Sequence, residues 1–251
     1  GRGTAKLEYD AFGINMEEAR DRFTDCCEIL KLALSGQTFS YQGKYHSTNR
    51  EVRIRPEPNS ERIHLYGAIG SPQSASIMAG MGLPPLNVCQ FPFHILEKSM
   101  NLWNEQANKS SRPSDNRRPV LVHTLMADSD DEALDLARKH LSEYFSLQTK
   151  HYEADADFWS DIKGYEQFSR FFKNLNLLSD PDNIDGFAGH NFVGSAKKVC
   201  EQVEKLREIG LNYMIVHPAT VGVPRKLRQD VLRRFAESVA PEFVPGFSKA
   251  A

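Results

Sequence analysis

Apolar and polar positions follow two rhythms along this chain. Unbroken apolar and β-branched runs at Ile63–Ile69, Leu86–Phe91, Val120–Met126 and Asn212–His217 read as buried parallel strands. Between them apolar residues recur at helical spacing. Phe23, Cys27, Leu30 and Leu34 form one stripe, opened by Asn15 and Glu18 as a capping box and closed by Gly36. Ala75, Met78, Ala79 and Gly82 share a face of a shorter helix. It starts after a turn at Gly70, with Ser71 as N-cap and Pro72 in the first position, and stops at Gly82-Leu83-Pro84. Ile95 to about Asn108 forms another helix, and Ser129 with Glu132 caps a long one that runs to about His151. Val199, Val203, Leu206 and Ile209 precede a stop at Gly210, and Leu227, Val231, Phe235 and Val239 mark the last amphipathic helix.

Some stretches break this rhythm. Phe39–His46 reads as a small hairpin with Gln42-Gly43 at its turn, and Val52–Arg55 as a further extended piece. Ser110–Arg118 reads as a polar loop. Residues 153–193 mix acids and aromatics without one period, which predicts an irregular, lid-like insertion within a single domain spanning 1–251. Strand and helix otherwise alternate, which calls for a parallel sheet with helices outside it. Four strands make half of a (β/α)8 barrel; an open doubly wound sheet fits the same count.

Composition narrows the classes. The chain has 251 residues, a formal net charge of -2 and 40% hydrophobic residues. No global field draws it to nucleic acid or to a membrane surface, and no apolar run is long enough to span a bilayer. Cys26, Cys27, Cys89 and Cys200 show no pairing or metal-type spacing, which predicts reduced thiols, a cytoplasmic protein and no metal. The chain opens on Gly1-Arg2-Gly3 with no signal peptide, which reads as a fragment or a processed start.

The candidate chemistry sits at a few positions. The helix start at Gly70, Ser71 and Ser74 offers backbone N–H groups and two hydroxyls. It is either a phosphate cradle or simply a capped helix. Arg20 falls in the first turn of its helix, where a cation opposes the dipole. It has either an anion nearby or a salt bridge to Glu17 or Asp21. His94 and His217 follow strand ends and are candidates for a catalytic or pocket role, or for a structural one. His123 reads as a packed core residue, His190 as a lid or solvated residue, and Cys89 as a small buried hydrophobe. No nucleophile motif is present.

Several motifs in order resemble the luciferase-like flavin-dependent monooxygenase family, the group that includes bacterial luciferase. They are Gly1-Arg2-Gly3 with Glu8-Tyr9 and Phe12-Gly13; Arg20; Gly70-Ser71 with Ser74; Gly82-Leu83-Pro84; Lys163-Gly164-Tyr165; and Gly194-Ser195 with the strand ending at His217. The resemblance covers about Gly1 to Ala240. It implies a TIM-type barrel and a phosphate site for reduced FMN built from Arg2, Arg20, Gly70, Ser71 and Ser74. It also implies oxygenation of a small organic substrate by O2, with reduced FMN supplied by a separate flavin reductase. Two alternatives stay open: hydride transfer with deazaflavin F420, and a truncated flavin-binding protein without turnover. In the family, three strands and most of a fourth precede the glycine–arginine–glycine segment, and bacterial luciferase carries a cysteine where this chain has Gly1. On that reading the chain is a half barrel lacking its first three to four strands. Such a chain is expected to form a homo-oligomer or associate through its open sheet, and to need the remaining half for turnover.

Overall fold

The computed structural model describes residues 1–109, 116–166, 168–218 and 221–245. Most of the predicted polar loop, Ser110–Asp115, and Gln167 within the predicted lid lie outside the described residues. In order the elements are α1 (Lys6–Ala11), α2 (Ala19–Leu34), β1 (Gly67–Ile69), α3 (Pro72–Gly80), β2 (Pro85–Val88), α4 (Phe93–Lys109), β3 (Pro119–Met126), α5 (Asp130–His151), α6 (Phe168–Leu177), α7 (Ile184–Ala188), β4 (Phe192–Gly194), α8 (Ala196–Glu208), β5 (Tyr213–His217), α9 (Arg225–Ser238) and α10 (Ala240–Phe243). Two compact units emerge. The first joins Gly1–Leu65 to Thr149–Asn174; the second joins Tyr66–Gln148 to Leu175–Ala251.

The second unit holds a five-stranded, all-parallel sheet. β1 pairs with β2, β2 with β3, and β5 with the first five residues of β3. Residues alternate faces along each strand. Val120, Val122 and Met126 of β3 face a core with Leu96 and Met100 of α4 and Val199, Val203 and Leu206 of α8. Leu121, His123 and Leu125 take the opposite face, with Ile215 and His217 abreast of Leu121 and His123. Trp103 of α4 is fully buried, donates Nε1–H to the Leu83 carbonyl at 3.1 Å and lies under the Arg118 guanidinium at 4.3 Å.

Three expectations are corrected here. The strand count rises from four to five, because Phe192–Gly194 pairs with Thr124–Met126. The first strand starts at Gly67, not Ile63: its partner begins only at Pro85, opposite Gly67, so earlier residues have no neighbour to bond. β2 ends at Val88 rather than Phe91, because the Asn191 carboxamide enters where β2 and β3 part. Asn191 Oδ1 accepts from His123 N–H at 3.1 Å, and its Nδ2 donates to the carbonyls of Cys89 at 2.9 Å and Phe187 at 3.0 Å. Residues 153–193 also carry more regular structure than their pattern showed, namely α6, α7 and the start of β4.

The first unit is built on α2 and an aromatic cluster. Asp25 is buried on α2 and accepts from Tyr41 Oη at 2.9 Å, Tyr45 N at 2.7 Å and His46 N at 3.0 Å. A Cβ at Gly43 would sit 2.5 Å from that carboxyl carbon, so only glycine lets the turn close over it. The turn is therefore Gly43–His46, and the hairpin pairs Phe39 with Val52 and Gln42 with Ser47 instead of ending at His46. Trp159 is fully buried against Phe172 at 4.4 Å and donates Nε1–H to the Glu153 carbonyl at 3.1 Å. The predicted Asn15–Glu18 box does not form as such: Asn15 accepts from Glu17 N, and Glu18 turns to Arg22 at 2.8 Å.

Two outcomes follow for stability. Asn191→Ala strips partners from a buried N–H and two carbonyls and should cost about 3 kcal/mol in urea unfolding. The backbone N–H of Tyr45, more than any other group, holds the Asp25 carboxyl below its ordinary value of 3.8. A carboxyl depressed by folding stabilises above its unfolded pKa and loses that contribution as pH falls through the folded one. Acid titration should therefore destabilise the wild-type hairpin below about pH 4, whereas Asp25→Ala should be destabilised already at pH 7 and lose less on acidification.

Candidate functional site

The Gly1-Arg2-Gly3 loop is pinned by two phenols. Tyr9 of α1 donates its hydroxyl to the Arg2 carbonyl, and Tyr165 donates to the Gly3 carbonyl at 2.9 Å. The two hydroxyl oxygens lie 3.5 Å apart. Burial, then the Tyr9 hydroxyl, raises the Tyr165 phenol above its ordinary pKa of 10.0, so it stays a neutral donor. The Arg2 guanidinium lies 3.9 Å over the Tyr165 ring and donates from Nη2 to the Gly164 carbonyl at 2.6 Å. Gly164 has φ +82°, and a Cβ there would stand 3.4 Å from Arg2 Nη1. The left-handed φ, more than the room for the guanidinium, is what calls for glycine here.

Arg20 is half-buried in the first turn of α2. The salt bridge to Asp21 does not form, because Asp21 is held by Lys44 at 2.7 Å. Among the described residues no carboxylate pairs with Arg20 at salt-bridge distance. Burial lowers its pKa from 12.5, and the charge of Arg2 lowers it further. Two neighbouring guanidiniums, one on an aromatic floor and one lacking a counter-ion, form a cavity in the charge balance that an anion with several oxygens fits.

In the second unit, the start of α3 is a complete capping box. Ser71 Oγ accepts from Ser74 N at 3.2 Å, while Ser74 Oγ accepts from the backbone N–H of Ser71 at 2.9 Å and of Gly70 at 3.1 Å. Ser74 also donates to the Ser71 carbonyl at 2.7 Å. Both hydroxyls are engaged in closing the helix end, and Gly70 is exposed beside them.

The histidines separate clearly. His94 is exposed in the first turn of α4, beside a shallow surface groove of about 440 Å³ that it shares with Glu97, Lys98, Asn101 and Glu105. His217 is half-buried at the end of β5, abreast of His123 on β3, with the rings edge to face at 5.3 Å. His123 is fully buried, and neither ring nitrogen has a partner among the described residues. Burial pushes it down to about 3. His190 is buried rather than solvated and is pushed down to about 4 by the same cause. The Cys89 thiol is pushed up to about 12 by burial and donates to the His190 carbonyl at 2.7 Å. The pairing of His123 with His217 escaped the sequence reading. Setting the two strands in parallel register from Pro119 and Tyr213 would have put these positions side by side. Among the described residues no group of three or more His, Cys, Asp or Glu could hold a metal ion, and no helix is long and apolar enough to cross a membrane.

Residues 1–213 match the description of the luciferase-like monooxygenases. This chain belongs to that family. The uncharacterized protein YddN of Bacillus subtilis is 28% identical over 105 residues, 42% of this chain and 31% of that protein, so the matched part spans about a third of its relative. Three solved structures share the fold. The monooxygenase RslO1 of Streptomyces bottropensis has a TM-score of 0.65 at 18% identity, covering 97% of this chain and 68% of its own. The oxygenating constituent of 3,6-diketocamphane monooxygenase of Pseudomonas putida, a type II Baeyer–Villiger enzyme in complex with FMN, gives 0.64 at 18%, covering 97% and 70%. An F420-dependent secondary alcohol dehydrogenase with an F420–acetone adduct gives 0.60 at 14%, covering 92% and 62%. The parallel strands and their helices are thus those of the luciferase-like TIM barrels. Within this family member, the Gly1-Arg2-Gly3 and Glu8-Tyr9 segments come together as one hydrogen-bonded unit, with Arg20 alongside Arg2.

The capping geometry yields its own outcome. Ser74→Ala removes the acceptor for two N–H groups and should lower stability by about 1 kcal/mol in urea unfolding.

Proposed function

We propose that this chain serves an FMN-dependent oxygenation of a small organic substrate, and that Arg2 and Arg20 grip the cofactor's phosphate. The observation carrying this reading is the half-buried Arg20, which has Arg2 as its charged neighbour and, among the described residues, no paired carboxylate. A phosphate supplies the missing negative charge and three acceptor oxygens, and relieves the like-charge repulsion between the guanidiniums. The Tyr165 ring and the Gly164 carbonyl hold Arg2 in one orientation before the anion arrives, so little rotamer freedom is lost on binding. Reduced FMN, once bound, supplies the chemistry that activates O2. This chain's part is to orient the cofactor through its phosphate end and to keep water from the reacting groups. A separate reductase would deliver the reduced cofactor. Gly70, Ser71 and Ser74 are assigned phosphate contacts on the resemblance alone.

F420 is the second reading, favoured by the fold shared with the F420-dependent alcohol dehydrogenase. Its phosphate-bearing tail suits the same cations, so the arginines do not discriminate between the two cofactors. His94 and His217 stay as candidates for contact with the reacting groups. Exposure of His94 on α4 argues against it; the place of His217 at a strand's C-terminal end argues for it.

The test is calorimetry with FMN, riboflavin and F420. Arg2→Ala and Arg20→Ala should each weaken FMN binding by about 1.5–3 kcal/mol, the range for hydrogen bonds to charged groups. Riboflavin binding should barely change. Equal losses for FMN and riboflavin would remove the phosphate assignment, and tighter binding of F420 than of FMN would favour the second reading. For the helix start, Ser71→Ala should weaken FMN but not riboflavin if the contact is real, and lower stability alone if it is only a cap.

A further inference from the structure

Four rings in the second unit run in sequence beneath α7. His217 meets His123 edge to face at 5.3 Å, His123 meets Phe187 at 5.6 Å, and Phe187 meets His190 at 5.3 Å. Phe187 belongs to α7, and His190 follows it by three residues. Two buried imidazoles therefore clasp the one aromatic side chain that α7 sends inward, with Ile184 and Ala188 buried on either side of it. A helix of five residues has no stability of its own, so its position depends on these contacts together with the Phe145 ring at 4.9 Å from Phe187, the Asn191 bond to the Phe187 carbonyl and the Asp185–Arg138 ion pair.

We propose that His123, His190 and His217 form a proton-sensitive latch, which holds α7 down while the imidazoles are neutral and releases it when they take up protons. The surroundings offer a charged imidazole little: burial disfavours the charge at all three histidines. His123 faces the Tyr144 and Phe145 rings of α5, Phe187 of α7 and His217 of β5. The charged neighbour acting on it is His217, and it acts by repulsion. His190 faces Phe187 and, at 6.3 Å, Phe93 of α4, whose ring carries the Lys205 ammonium at 5.9 Å. On the β2 side stands the Cys89 thiol, which bonds the His190 carbonyl and not its ring. The Gly186 carbonyl favours the protonated His190 but is outweighed by burial. The ion pair on α7 itself, Asp185 with Arg138 at 2.7 Å, lies at the exposed surface. His140 of α5 is a further buried imidazole, with Lys139 and Glu143 as its charged neighbours.

The sign follows from linkage. An imidazole released to water titrates near 6.5, well above the folded values of His123 and His190. The open state therefore binds more protons below that pH, and acid favours opening. Each proton taken up on release makes the opening constant rise about tenfold per pH unit. With His123 and His190 released together, the rise should approach about a hundredfold per unit around pH 5.

Hydrogen exchange of the full chain, followed by mass spectrometry from pH 7 to pH 4.5 and corrected for intrinsic rates, reads this directly. Peptides covering 184–191 should lose protection with that slope, ahead of peptides from α4 and α8. His123→Phe keeps a ring in the aromatic box and should reduce the slope by one proton, and so should His190→Gln. Should His123→Phe fail to fold, His190→Gln and the titration of the imidazole C–H resonances in the wild type carry the test. Asp185→Asn should leave the slope unchanged. A pH-independent opening of 184–191, an unchanged slope in the histidine variants, or loss of the slope in Asp185→Asn would each overturn the latch.

Discussion

Where β2 stops pairing with β3, the carboxamide of Asn191 takes over the bonding. It accepts from one strand and donates to the other, and adds a third bond to the end of α7. Every group it meets is buried, so none could turn to water instead. This one side chain lets the strands separate without leaving orphaned polar groups. It also sets the residues on either side: His190 before it reaches Phe187 and Cys89, and Phe192 after it begins β4 beside the end of β3. The cluster of buried imidazoles exists because the backbone is fixed here.

The first unit solves a different problem, that of holding two guanidiniums, Arg2 and Arg20, close enough to repel each other. Tyr9 and Tyr165 fix the loop through its carbonyls, which leaves the Arg2 side chain free to stack. Neighbouring charges on and beside α2 find partners: Arg22 pairs with Glu18, Asp21 with Lys44, and Asp25 is met by hydrogen-bond donors. Against that background Arg20 stands out, because among the described residues no carboxylate pairs with it.

Much of this was legible in the residues. The long apolar run of β3 and the Ser129 cap of α5 are legible nearly to their ends, because a strand with seven of its eight residues buried and a serine that accepts from the Glu132 N–H leave few alternatives. The motif order disclosed the family. What stayed hidden depends on partners distant in sequence. β4 is three residues long, with no period to detect, and exists because β3 extends past β2. The aromatic stretch from Trp159 to Phe172 looks aperiodic because its rings pack around each other and not along one helix face. At Ser71 and Ser74, residue types allowed both a cap and an anion cradle; only the hydrogen-bond distances show the cap as formed. Asp25 carries no signal in the sequence, since its partners are the Tyr41 hydroxyl and two backbone N–H groups on the far side of a turn.

The chain contains two tryptophans, and each compact unit holds one, fully buried. Trp103 sits beneath a guanidinium, and Trp159 among phenyl and phenol rings. The molecule thus carries a separate built-in fluorophore for each half. Replacing either indole by phenylalanine leaves the emission of the other as a private record of its own unit. Two such melting curves, laid one over the other, would reveal whether the two units unfold at one temperature or at two.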